Sequence, residues 1–479
     1  MNRHNNEILN GHHARQFLSY SVGPIIGSLF SAITVPITTN LLLPDEYGKT
    51  SMFVLLNSIL LLVANFGFDQ AYIREYYGYE NKKKLLFNAM IVPLGISIFL
   101  LLPTIVFSAD LSYFLFNDTG YRLPVIALAG TIPFVMMEKF LLNELRLSEK
   151  ALRYSLFSLV NKFLTFIVTL YFLFEIRQDF LAIVYSSLIA SYVSPIIMMA
   201  VCIRDVKKTD AVIDFGIIRQ MGRFAIPVLP AAVISSLFNA EDKVLLRQLS
   251  TYTELGYYQA SMTLSNIIGI VYTAFASFWT PLSFKWHEKG RPVSDFEAVQ
   301  RMICFLASLL YIAVVICKGL IPILLSNNYY QTKYILPMLL FYPVSSLMIS
   351  VISIGINFSR KTQFFLYISI VVMVANFVLN CVFIPLFGAV GAALATGLSH
   401  ILDLGLKTYF SRKTWSKFAY KHMAVSVSIL LTLGIINSYE MAGGIVIYLA
   451  DGLAALLLCW IYKGELKSII EIIGRRKIG

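Results

Sequence analysis

The residues of this chain best able to do chemistry are ionisable side chains set inside long apolar stretches. A charge buried in hydrocarbon is costly, so such groups pair or line a wet interior, and they are candidate functional sites by default. The cationic candidates are Lys162, Lys243 and Arg247, with Arg74 at the close of the second apolar stretch. Lys162 stands well inside the apolar block 153–174, beside Asn161. Lys243 and Arg247 are four residues apart and share one face of a helix, a pairing able to meet an anion. Four carboxylates, Asp69, Glu138, Asp242 and Asp403, could hold a coupling H+ or Na+, or gate by pairing with cations. Blander roles compete: Lys162 neutralised by Glu138, Arg74 as an anchor at a basic membrane face, Arg247 at lipid headgroups. Glu138-Lys139, Asp403 with His400, and Asp451 are further polar sites in apolar surroundings. Spacing alone does not rank the carboxylates.

Other chemistries leave no trace. There is no HExxH, no GxSxG and no Walker motif, so neither a cofactor nor a metal is expected and an enzyme is not. Gly388–Gly397 contains Gly388, Gly391, Ala392, Ala395 and Gly397, but no Lys-Ser/Thr pair follows to bind a nucleotide. Small residues at that spacing are expected to let helices approach closely. The five cysteines show no CxxC pair and are expected as buried single thiols. Tyr257 and Tyr258 read as interface anchors.

The elements that must position these groups follow from composition. Of 479 residues, 57% are apolar and 14% charged, against about 25% charged in a soluble domain. Apolar blocks near the length of a bilayer-crossing helix recur along the chain, and the alternation of a transmembrane β-barrel does not. An all-α polytopic membrane protein is expected, with spans at 17–43, 50–69, 85–107, 121–142, 153–174, 180–202, 223–248, 254–280, 298–324, 332–357, 361–385, 388–410, 419–437 and 443–462. This partition places most of the 39 Lys and Arg residues on one face and leaves Lys49, Arg122, Arg177, Arg247, Lys318 and Lys333 on the other. The positive-inside rule then makes both termini cytoplasmic. It also accounts for the net charge of +12 without a nucleic-acid partner. Every loop is too short to fold as a catalytic domain.

A shift of 208 residues aligns Ile26-Gly27-Ser28-Leu29-Phe30-Ser31-Ala32 with Ile234-Ser235-Ser236-Leu237-Phe238-Asn239-Ala240, and without a gap Glu46-Tyr47-Gly48 with Glu254-Leu255-Gly256. The shift spans an even number of helices, so both halves insert the same way. Two pseudo-symmetric six-helix lobes are expected, 17–202 and 223–410, flanked by a cytoplasmic segment 1–16, a linker 203–222, a helix pair within 411–462 and a tail 463–479. Pro24 and Pro36, with Pro227 and Pro230, interrupt the leading helix of each lobe and permit bends.

Several motifs carry a family resemblance. Leu41-Leu42-Leu43-Pro44-Asp45-Glu46-Tyr47-Gly48, Phe66-Gly67-Phe68-Asp69-Gln70-Ala71-Tyr72-Ile73-Arg74, Glu241-Asp242-Lys243 with Glu254-Leu255-Gly256-Tyr257-Tyr258, Phe278-Trp279-Thr280-Pro281 and Ile384-Pro385-Leu386-Phe387-Gly388-Ala389-Val390-Gly391-Ala392-Ala393 occur in that order. Together they resemble the Wzx-like polysaccharide-transport branch of the multidrug/oligosaccharidyl-lipid/polysaccharide exporter superfamily. The resemblance implies a MATE-like fold in a bacterial cytoplasmic membrane and flipping of undecaprenyl-pyrophosphate-linked oligosaccharide units by alternating access. It also implies membrane lipids as partners, with a polysaccharide polymerase and assembly proteins nearby. Under it, Lys162, Lys243, Arg247 and Arg74 become candidates to meet the pyrophosphate in a hydrated cavity. A cation-coupled antiporter, a peptidoglycan-precursor flippase and a membrane polymerase are the alternatives.

Overall fold

The computed structural model describes residues 11–206, 212–359, 361, 363–439 and 444–467. Among them every regular element is helical. In chain order the α-helices are α1 (Gly11–Leu41), α2 (Pro44–Asn65), α3 (Phe68–Glu75), α4 (Lys82–Val106), α5 (Ser108–Phe116), α6 (Arg122–Leu147), α7 (Ala151–Tyr171), α8 (Phe180–Val206) and α9 (Phe215–Leu249). They continue with α10 (Tyr252–Glu288), α11 (Val293–Ile316), α12 (Ile321–Leu325), α13 (Thr332–Leu339), α14 (Phe341–Ile352), α15 (Ile354–Phe358), α16 (Gln363–Thr414), α17 (Lys421–Tyr439) and α18 (Gly444–Ile461). Within the described residues the expected spans fall largely on helix, although 50–69 crosses a helix break at Phe66 and Gly67. Among the described residues ten helices are long and apolar enough to cross a membrane, or up to 11 if the bent α9 counts as one span. Much of the expected N-terminal segment and tail, and part of the linker, lie outside the described residues.

Local chemistry sets several boundaries. Pro44-Asp45-Glu46, between the first two expected spans, is the first turn of α2. Proline there forfeits an N–H that has no intrahelical partner anyway, and the two carboxylates favour the positive end of the helix dipole. α2 ends where Phe66 and Gly67 both take the left-handed conformation (φ 47° and 75°), a break after which the chain continues as α3. The expected span 332–357 is assembled from α13, α14 and α15 in succession.

α16 contains two spans. Gly388 breaks its helical path at φ 57° and ψ −130°, a backbone conformation that costs glycine little and other residues much. Ser399 Oγ, beyond the break, donates to Asn376 Oδ1, before it, at 3.0 Å. Residues equally far from Gly388 therefore face one another, and the arms run antiparallel. A side chain at Gly391 would come within 2.1 Å of the Phe383 carbonyl oxygen, so the small residues of 388–397 permit this close approach.

The chain divides into two compact units, Met1–Ala240 and Glu241–Gly479. In the first, α1 lies along α7, and α6 packs against α4, α8 and α2. Phe68, Tyr72, Leu85, Phe140 and Met198 form a core that also takes in Met221 and Ala225 from the start of α9. In the second, α14 packs against α10, α11 and α16, and α17 against α11 and α13. Trp279 and Phe296 are buried in a second core, with Trp286, Phe358 and Trp415 packed on it.

The 208-residue shift relates two features of this backbone. α1 and α9 end at Leu41 and Leu249, and α2 and α10 begin at Pro44 and Tyr252, each pair 208 apart. In the first unit Glu46 Oε2 accepts the Phe180 N–H at the start of α8, 2.8 Å. In the second, Glu254 Oε2 accepts the Ala389 N–H just past the Gly388 break, also 2.8 Å. The repeated Glu-x-Gly thus supplies an acceptor to an otherwise orphaned helix-start donor in each unit.

Candidate functional site

The densest polar cluster of the second unit is built on Asp242, in the last turns of α9. The carboxylate is 5% exposed. Its Oδ1 accepts from Asn376 Nδ2 at 2.9 Å and Asn380 Nδ2 at 2.6 Å. Its Oδ2 accepts from Tyr258 Oη at 2.5 Å and Thr396 Oγ1 at 2.9 Å. Asn376 also donates to Glu241 Oε1. The amides share a face of the first arm of α16, Thr396 comes from the second arm and Tyr258 from α10. The hairpin at Gly388 is therefore what lets one element supply three of the four donors.

The arrangement has a clear electrostatic sense. Hydrogen bonds to a charged group contribute about 1.5–3 kcal/mol each, and desolvating an ion costs several kcal/mol. Four donors are of the size needed to offset that cost without a cation. Among the described residues no Lys or Arg nitrogen forms an ion pair with Asp242. Turning the Asn376 and Asn380 amides would present their carbonyl oxygens instead, beside the carboxylate and two hydroxyls, as an oxygen cage for a cation. The Asn380 Oδ1 atom is buried without a hydrogen-bond partner. The cage belongs to one half only, since the 208-residue shift puts Asp242 on Thr34 and Tyr258 on Thr50.

Asn376, Asn380 and Thr396 are absent from the sequence-based candidates. The signal was present as two amides at i,i+4 in an apolar span. Tyr258, read as an interface anchor, is instead 1% exposed and bound to the carboxylate. Tyr257 is half-buried, with its ring edge-on to Tyr329. Asp242 is held within its own unit by neutral groups, rather than by pairing with a distant cation.

The remaining candidates are placed as follows. Lys243 is half-buried next to the cage, and the Arg247 guanidinium lies 5.0 Å from the Tyr252 ring. In the first unit Asp69 is buried and accepts from Lys139 at 2.9 Å and Asn65 at 2.8 Å. Arg74 is largely exposed and stacks over Phe224 at 4.5 Å. The expected alternative of Lys162 paired with Glu138 is not formed. Lys162 is exposed on α7 and rests its stem against Gly27 of α1. Glu138 is buried and takes a hydrogen bond from Ser194. Asp403 pairs with Lys407 one turn on, at 2.7 Å, rather than with His400, whose ring lies against Tyr342.

One reading, that all five thiols are buried, is corrected. Lys318, expected near the face opposite the termini, is 6% exposed and donates to the Asn437 carbonyl at 3.1 Å. Asn437 in turn donates to the buried Asp451 at 2.9 Å. Of the five single thiols, Cys202 and Cys304 are buried, Cys459 is half-buried, and Cys317 and Cys381 are exposed. Among the described residues no three His, Cys, Asp or Glu side chains gather as a metal-ligand set.

With this geometry in view, the relations to known proteins fall into place. The fold is similar to that of the lipid II flippase MurJ in an inward closed conformation, at a TM-score of 0.71 and 15% identity, over 94% of this chain and 99% of that one. It is similar also to an inward-facing multidrug resistance MATE family transporter of the MOP superfamily, at a TM-score of 0.62 and 13% identity, over 87% and 99% of the two chains. At such identities the likeness is one of fold. No protein of curated function matches the chain in sequence. The profile of one family, described as polysaccharide biosynthesis protein, matches residues 13–287, more than half of the chain. The protein is a multi-pass membrane protein with a MurJ- and MATE-like transporter fold, and it belongs to the polysaccharide biosynthesis protein family.

Proposed function

We propose that this protein is a flippase that carries undecaprenyl-pyrophosphate-linked oligosaccharide units across the bacterial cytoplasmic membrane for surface polysaccharide synthesis. The observation that carries the proposal is the polysaccharide-family match over residues 13–287 of a chain with a lipid flippase's fold. Catalysis of bond chemistry is not part of this reading. The expected lobes, 17–202 and 223–410, alternate in exposing the substrate to the two leaflets, and both termini are cytoplasmic. Lys162 meets the pyrophosphate: it is exposed and has no ion-pair or hydrogen-bond partner among the described residues. Arg74, largely exposed with the Glu75 carboxylate at 3.8 Å, receives the headgroup at entry. Lys243 and Arg247 contact it later in the cycle.

The Asp242 cage is where we place a coupling cation, Na+ being the hard monovalent ion that oxygens of this kind suit. A peptidoglycan-precursor flippase is the second reading, favoured by the fold likeness to the lipid II flippase.

Deletion of the gene, followed by analysis of undecaprenyl-linked intermediates, tests the proposal. Intact oligosaccharide units retained on the cytoplasmic leaflet are expected. Accumulated lipid II would favour the second reading, and unpolymerised units at the outer surface would replace both with an enzyme.

A further inference from the structure

The buried and half-buried carboxylates differ in what surrounds them; the fully buried Asp451 has the side-chain amide of Asn437, whose backbone carbonyl holds Lys318. Asp69 has a lysine, an asparagine amide and the Gln70 N–H. Asp403 has Lys407. Glu144 accepts from two phenols, Tyr72 and Tyr76. Asp242 has four donors. Glu138, in the middle of α6 and 6% exposed, has a single hydroxyl, Ser194 Oγ on α8, at 2.5 Å from Oε1.

A carboxylate offers about four lone-pair sites, and an isolated ionised carboxylate in a low-dielectric interior is so unfavourable that the group neutralises instead. Among the described residues no charged group forms an ion pair with Glu138. On its own helix Lys139 is turned to Asp69, and Glu144 is held by the two tyrosines. On α4, Lys82 binds the Tyr76 carbonyl and Lys84 binds Asp214. On α2, Lys49 is tied to Glu46 and Asp45. On α7, Lys162 lies against Gly27 of α1, and on α8 the Tyr192 hydroxyl donates to the Ala127 carbonyl.

From this contrast we propose that Glu138 is a proton-binding site of the first unit, occupied in this conformation, with Ser194 as its positioning partner. Uptake joins one proton to the carboxylate and release returns it, with no other reactant. Protonation gives the carboxyl an O–H donor and removes the uncompensated charge. The site itself stands on geometry; its consequence, that the first unit contributes a proton to the transport cycle, rests on the flippase reading.

Infrared spectroscopy of the purified full-length protein in lipid nanodiscs tests the site without substrate, so its failure is separable from failure of the flippase reading. At neutral pH a protonated carboxyl C=O band is expected, lost in Glu138→Gln, shifted in Ser194→Ala and converted to carboxylate on alkaline titration. Glutamine preserves volume and neutrality, so the variant is expected to fold. A band unchanged in Glu138→Gln, or one that persists through the titration, overturns the proposal.

Discussion

Asp242 shows how a single residue commits its surroundings. Replacing it with asparagine keeps the shape but turns one acceptor into a donor, which then faces donors already in place. The expected loss is about 1–3 kcal/mol for the buried groups left unsatisfied, read as a lowered midpoint in thermal unfolding of the detergent-solubilised protein. Tyr258→Phe removes one donor of four and is expected to cost about half as much. If Asp242 holds a coupling cation, Na+ should raise the wild-type midpoint and leave that of Asp242→Asn unmoved. Lys162 makes a different prediction, because its ammonium is exposed and no fold contact depends on its charge. Lys162→Ala is expected to impair surface polysaccharide export with little change in the unfolding midpoint, and Lys162→Arg to preserve most export. Normal export by the alanine variant would remove Lys162 from the substrate path.

At the scale of elements, a duplicated device joins the second helix of each expected lobe to its sixth. Glu46 and Glu254 each accept a helix-start N–H at the same distance. A lost cap costs about 0.5–2 kcal/mol, so Glu46→Ala and Glu254→Ala are expected to destabilise by similar amounts in the same unfolding assay. Unequal effects would argue that the two contacts are only superficially alike. A second device ties the start of α9 to α4. Asn88 accepts the Asp214 N–H at 2.7 Å and donates to the Val212 carbonyl at 3.1 Å, while Lys84 reaches Asp214 at 2.7 Å. The hydrogen bond from Lys84, with the N–H groups of Ile217 and Gly216, holds the Asp214 carboxyl below the usual carboxylate range. A depressed folded-state value means its stabilising contribution is present above the unfolded value and lost as pH falls through the folded one. Faster amide exchange at Gly216 and Ile217 is therefore expected only on acidification below the ordinary Asp range.

At the scale of the molecule, each unit gathers its own packed helices and its own buried carboxylates, and the two differ chemically. The second builds a four-donor cage around Asp242, whereas the first buries Glu138 with one hydroxyl. The two Glu-x-Gly contacts are alike in the two units, while the buried charges are not. The orientation proposed from the basic face is testable by single-cysteine labelling with a membrane-impermeant thiol reagent in a cysteine-free background. Cysteines at Asp118 and Asn328 are expected to react from outside intact cells, and one at Lys289 only after permeabilisation. Labelling of the last from outside would reverse the topology.

The sequence by itself determined the membrane class and the all-helical fold. These rest on composition and on backbone hydrogen bonding, which in hydrocarbon leaves the helix almost no competitor. Asp242, Glu138 and Lys162 stood out for the same reason, as polar groups that apolar surroundings make costly. Partnership was different. Asp242 is joined by residues 16 to 154 positions away, through a fold-back at one glycine that apolar periodicity does not reveal. Whether Tyr258 was an anchor or a donor, and whether Glu138 had a cation beside it, were decided by tertiary packing alone. Each depends on which helix face meets which, and in a chain whose helices are apolar nearly all round, the pattern along one helix does not encode that choice.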